Sequence, residues 1–497
     1  MAIIYIDPSS STNGVGTLND PRNTWVGVTW TAGNSYLQKC GTYFVTASGG
    51  AGRIAPTISG TTLNPITIGK YGTGPNPVII NNADTGINVD QRSNIIVQDL
   101  VIIGGTVSAI GGGGGTSAPM HNVIVRRNTI YNTTGCGMLF QTQLDRFPTI
   151  GLRVYNNVVY DAGYHGISFV GEHYNSVAYN NTIIRGGKIT PGHGLTTLPH
   201  RTTFTPSWTL VSGTIYSVAI GAQAYKTTVT DIYSVFYATT GVSLIKNTST
   251  PTTPANGEFG FSGSTLYINV GVAPSGSVSF SYSKLQICYK NNLIIDYGNI
   301  TDSESKGIQA DDMASDCYII GNIIKNPKAE GIACNMGQRN VISGNLIINP
   351  IDQGIRADIN GAKNNLVINN TIIAGDNTSG TTSGIQLGFG NTARNNIIKG
   401  FSTGITGASA QCIISNNSFW QCESITGGTL TNQGNNVTSD PLLTSDYKLS
   451  SSSPCVSAGE WAGVLKDIEN KSFKNPPSIG AYQHYPDRSS SIRARLP

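Results

Sequence analysis

Three acidic and two basic residues in the second half of the chain have the types and spacing that acid–base chemistry requires. Asp311 and Asp358 lie two repeats of the sequence apart, Glu330 lies between them, and Lys306 and Arg356 are close by. Two carboxylates that face one reacting group can act as general acid and general base. If Asp311 and Asp358 occupy one column of a stacked β structure, their backbones are about 9.6 Å apart.

A repeat of 21 to 30 residues positions these side chains. Nine asparagines each precede a short apolar segment, at intervals of 29, 24, 111, 30, 23, 25, 26 and 21 residues. A fixed period of this length is typical of solenoids, and the long interval is one period with an insertion. We expect the asparagines to hydrogen-bond along the stack and to adopt left-handed backbone in tight turns. They are Asn128, Asn157, Asn181, Asn292, Asn322, Asn345, Asn370, Asn396 and Asn417.

Each repeat predicts three short strands. In residues 341–359, VISGNLIINPIDQGIRADI, a strand, a tight turn, a second strand, a looser turn and a third strand follow one another. Coils of this kind stack with about 4.8 Å between equivalent strands. The predicted fold class is therefore all-β, a single-stranded parallel β-helix with three strands per coil.

The third strand of each coil begins with a glycine and an aliphatic residue. Because strand side chains alternate, the aliphatic residue points inward, and the residues two and four after the glycine point outward. Polar side chains gather there and just before the glycine in the middle coils, although only 12% of the chain is charged. We call these residues the strip. They are the catalytic candidates Asp311, Asp358 and Glu330 and the substrate-binding candidates Lys306, Gln309, Asn335, Arg356, His165, His193 and Gln386.

Two alternatives stay open within the strip. Strict alternation turns the residue before the glycine inward, so His165 and His193 are either substrate-binding residues or core and turn histidines. Asp312, next to Asp311, is a further candidate acid or base. The histidine spacing does not match a zinc site, so no metal ligand is predicted.

Composition excludes several classes of protein. Of 497 residues, 38% are hydrophobic and 60 are glycine, which favours many strands joined by turns. A net charge of +4 among 58 charged groups, without a basic stripe, argues against a nucleic-acid partner. No apolar segment is long enough to insert in a membrane. The eight cysteines are expected to be mostly buried free thiols, with Cys412 and Cys422 as the most favoured pair.

Residues 197–284 interrupt the repeat. They alternate apolar and polar side chains between Gly, Ser and Pro turns, which predicts a small inserted antiparallel β unit. Because it leaves the helix directly after the Gly194 strand, we expect it beside the strip, as a cleft wall, an oligomer contact or a tolerated surface insertion. Trp208 and Tyr225 are expected to pack in its core rather than to stack on a ligand.

The repeated asparagine and glycine–isoleucine motifs resemble the right-handed parallel β-helix superfamily of pectate lyase-like and phage tailspike-like polysaccharide depolymerases. The resemblance covers roughly residues 60–440. YIDPSSSTNGVGTLNDPRNTW looks like the opening segment of such helices, and DPLLTSDYKLSSSSPCVSAG followed by PSIGAYQ is similar to their closing segment. The superfamily contains lyases, hydrolases, depolymerases and non-catalytic binders, so fold does not fix function.

The resemblance implies a polysaccharide partner and allows three activities. Carboxylate-mediated glycoside hydrolysis needs two acidic groups, about 6.5 to 9.5 Å apart for inversion, which fits the Asp311–Asp358 prediction and is preferred. β-Elimination on a uronic-acid glycan would use the cations and histidines of the strip, and Ca²⁺ would then be the expected ion. Otherwise no cofactor is expected. The third activity is non-catalytic glycan binding.

Five segments and a location complete the sequence predictions. The segments are an N-terminal cap (1–60), a first part of the helix (61–196), the insertion (197–284), a second part of the helix (285–440) and a closing segment with a tail (441–497). The N-terminus lacks the features of a signal peptide, which favours a virion or otherwise an extracellular location reached by another route. A homotrimer is implied by the tailspike resemblance alone.

Overall fold

The computed structural model describes residues 1–115, 118–142, 147–199, 201–220, 232, 234–237, 242–263, 265–281, 285–298, 304–311, 313–359, 361–376, 378–380, 382–407, 409–430 and 434–485. Within these ranges the regular structure is β-strand except for one 3-10 turn, Gly50–Gly52. In the same ranges no helix is long and apolar enough to cross a membrane.

Three long parallel sheets form the body of the molecule, and each coil contributes one strand to each sheet in turn. This is the predicted parallel β-helix, and it is confirmed. Sheet A contains Ile3–Ile6, Ser35–Lys39, Ile66–Tyr71, Ile95–Gln98, Met120–His121, Ile124–Arg126, Thr149–Ile150, Arg153–Tyr155, His173–Tyr179, Leu285–Lys290, Tyr318–Ile320, Val341–Ser343, Leu366–Ile368, Thr392–Arg394 and Ile413–Ser415.

Sheet B follows sheet A within each coil. Its strands are Tyr43–Val45, Val78–Asn81, Val101–Gly104, Thr129–Tyr131, Val158–Tyr160, Thr182–Ile184, Leu293–Ile295, Ile323–Lys325, Leu346–Ile348, Thr371–Ile373, Ile397–Lys399 and Ser418–Trp420. The middle residue of each three-residue strand points inward, as Ile294, Ile324 and Ile347 do, and these side chains are fully buried. They form one core with the inward residues of the other sheets.

Sheet C closes each coil and carries the strip. Its strands are Thr85–Asn88, Ser108–Gly112, Cys136–Gln141, Ile167–Val170, Leu195–Leu198, Ile308–Ala310, Ile332–Asn335, Ile355–Ile359, Ser383–Leu387, Thr403–Gly407 and Ser424–Gly428. The aliphatic residue after each glycine is buried, as predicted, for example Ile308, Ile332 and Ile355.

The nine asparagines form a buried ladder between sheets A and B. The side-chain amide of Asn345 donates to Asn370 Oδ1 at 2.9 Å and to the Ile319 carbonyl at 2.9 Å, and its own Oδ1 accepts from Asn322. The bonding along the stack is thus confirmed. The left-handed backbone belongs instead to the preceding residue, as at Asn291 and Asn369. A second ladder, Asn340–Asn365–Asn391, lies between sheets C and A and was not predicted.

Glycines precede the strands of sheet C because a larger residue there would clash with the core. A Cβ at Gly307 would lie 2.5 Å from Cγ2 of Ile324, the inward side chain of sheet B, and the other coils repeat this clash. The glycine therefore faces the core itself. The turn at the glycine breaks the alternation, so alternation does not decide which way the residue before it points. Glu330 accordingly reaches Arg356 on the outer face.

The insertion forms a β unit with its own apolar core. Its eight strands are Arg201–Phe204, Thr209–Ser212, Ile215–Ala219, Ser234–Tyr237, Val242–Lys246, Glu258–Ser262, Thr265–Asn269 and Val278–Ser281. Their pairing is antiparallel except between Val242–Lys246 and Glu258–Ser262. Trp208 packs against this core, as predicted. Tyr225 lies outside the described residues.

The closing segment packs back on the last coils. Ile479, Leu449 and Cys455 cover Ile397 of sheet B, and the Ala481 amide donates to Thr371 Oγ1 at 2.9 Å. All eight cysteines are free thiols, so the favoured pairing of Cys412 with Cys422 does not occur.

Candidate functional site

The outward residues of sheet C line up in one continuous column. Gln309 pairs with Ala333, Ala333 with Arg356, and Arg356 with Gln386 in successive coils. The stacking therefore brings together strip residues that lie far apart in sequence, about 4.8 Å per coil.

A chain of ion pairs and hydrogen bonds links five strip residues. The Lys306 ammonium lies 3.5 Å from Glu330 Oε2, and Arg356 Nη1 donates to Glu330 Oε1 at 3.1 Å. Arg356 Nε also donates to Asp358 Oδ1 at 3.3 Å, and Gln386 Nε2 donates to Asp358 Oδ2 at 2.7 Å. Both carboxylate oxygens of Asp358 thus have donors, which hold the group in one orientation.

Glu330 is the buried centre of this network. It is 2% exposed, while Lys306 is 4% exposed and Arg356 is half-buried. A buried carboxylate is tolerated only when it is paired, and removing one partner of such a pair is expensive. Glu330 therefore holds Lys306 and Arg356 in place, and the more accessible carboxylate of the network is Asp358.

Asp311 lies at the carboxyl end of its sheet C strand, partly exposed. Asn335 of the next coil donates its side-chain amide to Asp311 Oδ1 at 2.8 Å. The predicted single column with Asp358 is shifted, because a β-bulge in the next strand pair places Asn335 opposite Ile359 instead of Asp358. One additional residue opposite a partner is what defines a bulge.

The two histidines form a buried stack under the strip. His165 and His193 have ring centroids 5.1 Å apart. His165 Nδ1 accepts from the His193 amide at 3.0 Å, and His193 Nδ1 accepts from the Lys306 amide at 3.3 Å. Burial lowers the pKa of His165 to about 3 and lowers that of His193 well below its ordinary value, with the neighbouring His165 and Lys306 adding to the second effect. Both rings are therefore neutral near pH 7 and orient the Lys306 backbone.

Buried polar atoms without hydrogen-bond partners lie in the same column. Ser168 Oγ and Thr196 Oγ1 are fully buried, Gln309 Oε1 is also inaccessible, and none of these three atoms has a hydrogen-bond partner among the described residues. Leaving such an atom unpaired lowers the free energy of unfolding by on the order of 1–3 kcal/mol.

Asp352 is a further acidic residue that the sequence reasoning missed. It lies in the turn before the Ile355–Ile359 strand, half-buried, and burial together with the charge of Glu330 raises the pKa of its carboxyl. Arg356 and Lys306 partly oppose this shift. Asp352 does not lie in an outward column of sheet C. Its position two residues before Gly354 is the one sequence signal that could have indicated it. Asp312 lies outside the described residues.

The insertion touches the helix close to the strip. Gln338, in the turn between sheets C and A, is fully buried and donates its side-chain amide to the Leu244 carbonyl of the insertion at 2.9 Å. Within the described ranges, no three His, Cys, Asp or Glu side chains are grouped to hold a metal ion.

Comparisons with known proteins identify the fold. A family model described as right handed beta helix region matches residues 22–205, and the predicted right-handed β-helix is confirmed. The A-module of the mannuronan C-5 epimerase AlgE4 from Azotobacter vinelandii is 15% identical, with a TM-score of 0.50 over 80% of this chain and 91% of that chain. XylC in complex with xylose is 10% identical, with a TM-score of 0.52 over 97% and 98%.

A third similar structure has a lower TM-score. Pectate lyase Pel9A is 14% identical, with a TM-score of 0.44 over 98% of this chain and 97% of that chain. At such identities the likeness concerns the fold. No curated protein matches the sequence.

Proposed function

We propose that this protein is a polysaccharide depolymerase that hydrolyses a surface or matrix glycan bound along the strip. The observation that carries the proposal is the pairing of the strip's cations. Lys306 is bound by Glu330 and Glu304, and Arg356 by Glu330 and Asp358. Because carboxylates already neutralise both cations, the strip suits a sugar without a carboxylate.

Asp358 and Asp311 are the proposed base and acid. Arg356 and Gln386 hold Asp358 in one orientation, which suits a base that activates water. Asn335 donates to one oxygen of Asp311 and so orients the carboxyl group that would carry the proton for the leaving oxygen. Two coil spacings give about 9.6 Å between the backbones before the bulge shifts them along the strand, a separation that favours inversion. Glu330 and Lys306 are positioning residues.

The partly exposed polar side chains of the strip support binding of a hydroxyl-rich ligand. Asn335, Arg356 and Gln386 can hydrogen-bond to sugar hydroxyl groups. The two similar structures with TM-scores of at least 0.50 are also carbohydrate-related, since one is a mannuronan epimerase and the other was solved with xylose. These observations support a glycan ligand in general, and the paired cations support a neutral one.

The test is reducing-end release from a panel of neutral and uronic-acid polysaccharides. Asp358→Asn and Asp311→Asn should each lower kcat by about 10²–10⁴-fold, the usual contribution of a general acid or base. Asp316→Asn is the matched control, because Asp316 pairs with Arg339 outside the strip and its loss should leave kcat unchanged.

Three outcomes would replace the proposal. Ultraviolet absorbance of an unsaturated sugar in the products would show β-elimination. Binding without any product would show a non-catalytic glycan binder. Unchanged kcat in both Asp variants would move the chemistry elsewhere, with Asp352→Asn as the next variant to measure. The virion or extracellular location and the homotrimer stay predictions.

A further inference from the structure

The outer face of sheet B carries an apolar surface that needs a separate explanation. Each of its short strands points its first and third residues outward, where a solenoid is free to use polar side chains. From Val78 to Ile323 these positions hold aliphatic, aromatic or threonine side chains, and the first charge is Lys325. We call this surface the B face. It consists of Val78, Ile80, Val101, Ile103, Thr129, Tyr131, Val158, Tyr160, Thr182, Ile184, Leu293, Ile295 and Ile323.

The chain itself shows what such a surface is used for. In the last coils the same outward positions are occupied by Thr371 and Ile397, and both are 1% exposed because the closing segment lies on them. In the earlier coils all thirteen residues of the B face are only partly buried. The B face is thus the uncovered continuation of a surface that already forms an intramolecular interface.

Charged pairs border the B face on both sides. Arg127 pairs with Asp99 at the turn from sheet A, with Nε 2.7 Å from Oδ1. Arg185 pairs with Asp161 at the turn to sheet C, with Nη2 3.1 Å from Oδ2. An apolar centre with a polar rim is the usual anatomy of a protein–protein interface, and contiguous exposed apolar surface marks interaction sites.

We propose that the B face binds the B face of a second copy of this chain. The face is straight and regular, because every coil adds one strand in register. A flat sheet face fits another sheet face, with about 10 Å between the sheets. A second copy presents the same length and chemistry, so one twofold contact covers both faces at once.

The size of the B face predicts a weak dimer. Its seven strands, from Val78–Asn81 to Ile323–Lys325, span about 29 Å along the helix axis and about 10 Å across. This footprint is about 300 Å² per copy and about 600 Å² for the pair, which is below the range of stable specific interfaces. Association is therefore expected to be weak and transient and to depend on concentration. The proposal is independent of the catalytic function.

The test is sedimentation equilibrium of the full chain from low to high micromolar concentration. The wild-type mass should rise from 52.4 kDa toward twice that value. The homotrimer that the tailspike resemblance implies would instead give three times that value and would overturn the twofold contact. Ile184→Lys with Ile295→Lys should weaken dimerisation at least tenfold. The fold tolerates lysine here, because Lys325 occupies the same column next to Ile295.

A matched control separates the B face from general surface effects. Ile124→Arg places a charge on the outer face of sheet A, where Arg153 is the next residue of the column, and it should leave dimerisation unchanged. Circular dichroism checks that every variant is folded. A monomer at all concentrations would overturn the proposal, and so would an assembly that the double lysine variant leaves intact. An assembly lost only in that variant supports it.

Discussion

At the scale of single residues, His165 and His193 show how the β-helix uses polar side chains inside the stack. Each ring accepts a hydrogen bond from a backbone amide of the next coil, and the two rings stack on each other. The two histidines therefore link successive coils, as the asparagine ladder does. Burial keeps the folded-state pKa of His165 near 3 instead of 6.5. The unfolded chain therefore binds a proton as the pH falls below 6.5, and the folded chain does not.

This linkage predicts a loss of stability in acid. Between pH 6.5 and pH 4.5, His165 alone should lower the free energy of unfolding by about 2–3 kcal/mol. His165→Asn keeps an acceptor near the Nδ1 position but cannot titrate, so the decline between these pH values should become shallower by that amount. Urea melts at pH 7 and pH 4.5 measure it. An equal decline in both proteins would contradict the assignment.

Lys363 is the opposite case, a buried amine that weakens the fold. It is 2% exposed, lies 5.9 Å from the Phe389 ring centroid, and has no carboxylate within ion-pair distance in the described part of the chain. Burial lowers its pKa from 10.5 to about 8. Below pH 8 the folded state must bury a charge, so stability is expected to rise as the pH increases from 8 to 10.5.

Lys363→Met removes that cost. At pH 7 the variant should be more stable by on the order of 1–3 kcal/mol, and its stability should no longer rise between pH 8 and pH 10.5. Thermal melts across this range provide the measurement. Lys399→Met, on the half-buried outer edge of sheet B, is the control and should reproduce the wild-type curve.

At the scale of elements, the glycine before each sheet C strand sets the distance between two sheets. A Cβ at Gly354 would lie inside van der Waals contact of Cγ2 of Ile372, so Gly354→Ala should lower the free energy of unfolding by about 1–3 kcal/mol. Gly380→Ala is the matched control, because nothing lies within 4 Å of its added Cβ. Combining Gly354→Ala with Ile372→Leu, which removes the clashing methyl group, should restore part of the loss. The measurement is the urea unfolding of the wild type, Gly354→Ala, Gly380→Ala and the combination of Gly354→Ala with Ile372→Leu.

The strands and the nine-asparagine ladder of this fold could be predicted from the sequence, since period and alternation are properties of one coil repeated many times. The asparagine ladder and the inward aliphatic residues of sheet C follow directly from that repetition. The contact of Glu330 with Arg356 on the outer face did not follow, because the glycine occupies an inward position that its missing side chain leaves invisible in the pattern. The bulge that separates Asp358 from the column of Asp311 is a local irregularity, which no period reports.

Asp352 illustrates the limit for the candidate site. Its raised pKa comes from burial in a turn and from the nearby charge of Glu330, which belongs to the previous coil. Such an effect depends on contacts between coils rather than on position within one coil. The members of the strip could therefore be predicted as a group, whereas their ion pairs and their degree of burial required the structure.

At the scale of the whole molecule, the insertion is a separate unit held on a continuous helix. The coils on either side of it are already in register, since Leu195 pairs with Ile308 and Val177 pairs with Cys288. One coil earlier, Gly171 and Glu172 alone join Val170 to His173. A chain lacking residues 200–283 can therefore close the same corner with a short Gly–Ser linker and should keep the β-helix.

The deletion should nevertheless destabilise the helix at one residue. The side-chain amide of Gln338 would lose the Leu244 carbonyl, its one hydrogen-bond acceptor in the described structure, while Gln338 Oε1 has no partner among the described residues. The expected destabilisation of the helix is about 1–3 kcal/mol, and Gln338→Met in the shortened chain should recover most of it, because an apolar side chain leaves no polar atom unpaired. In the full-length chain the same substitution should destabilise instead, since the Leu244 carbonyl would then lose its donor. The measurement is circular dichroism and thermal melts of the full-length and the shortened chain, each with and without Gln338→Met.

A shortened chain that fails to form β structure, or a Gln338→Met effect of the same sign in both backgrounds, would show that the insertion is an integral part of the helix.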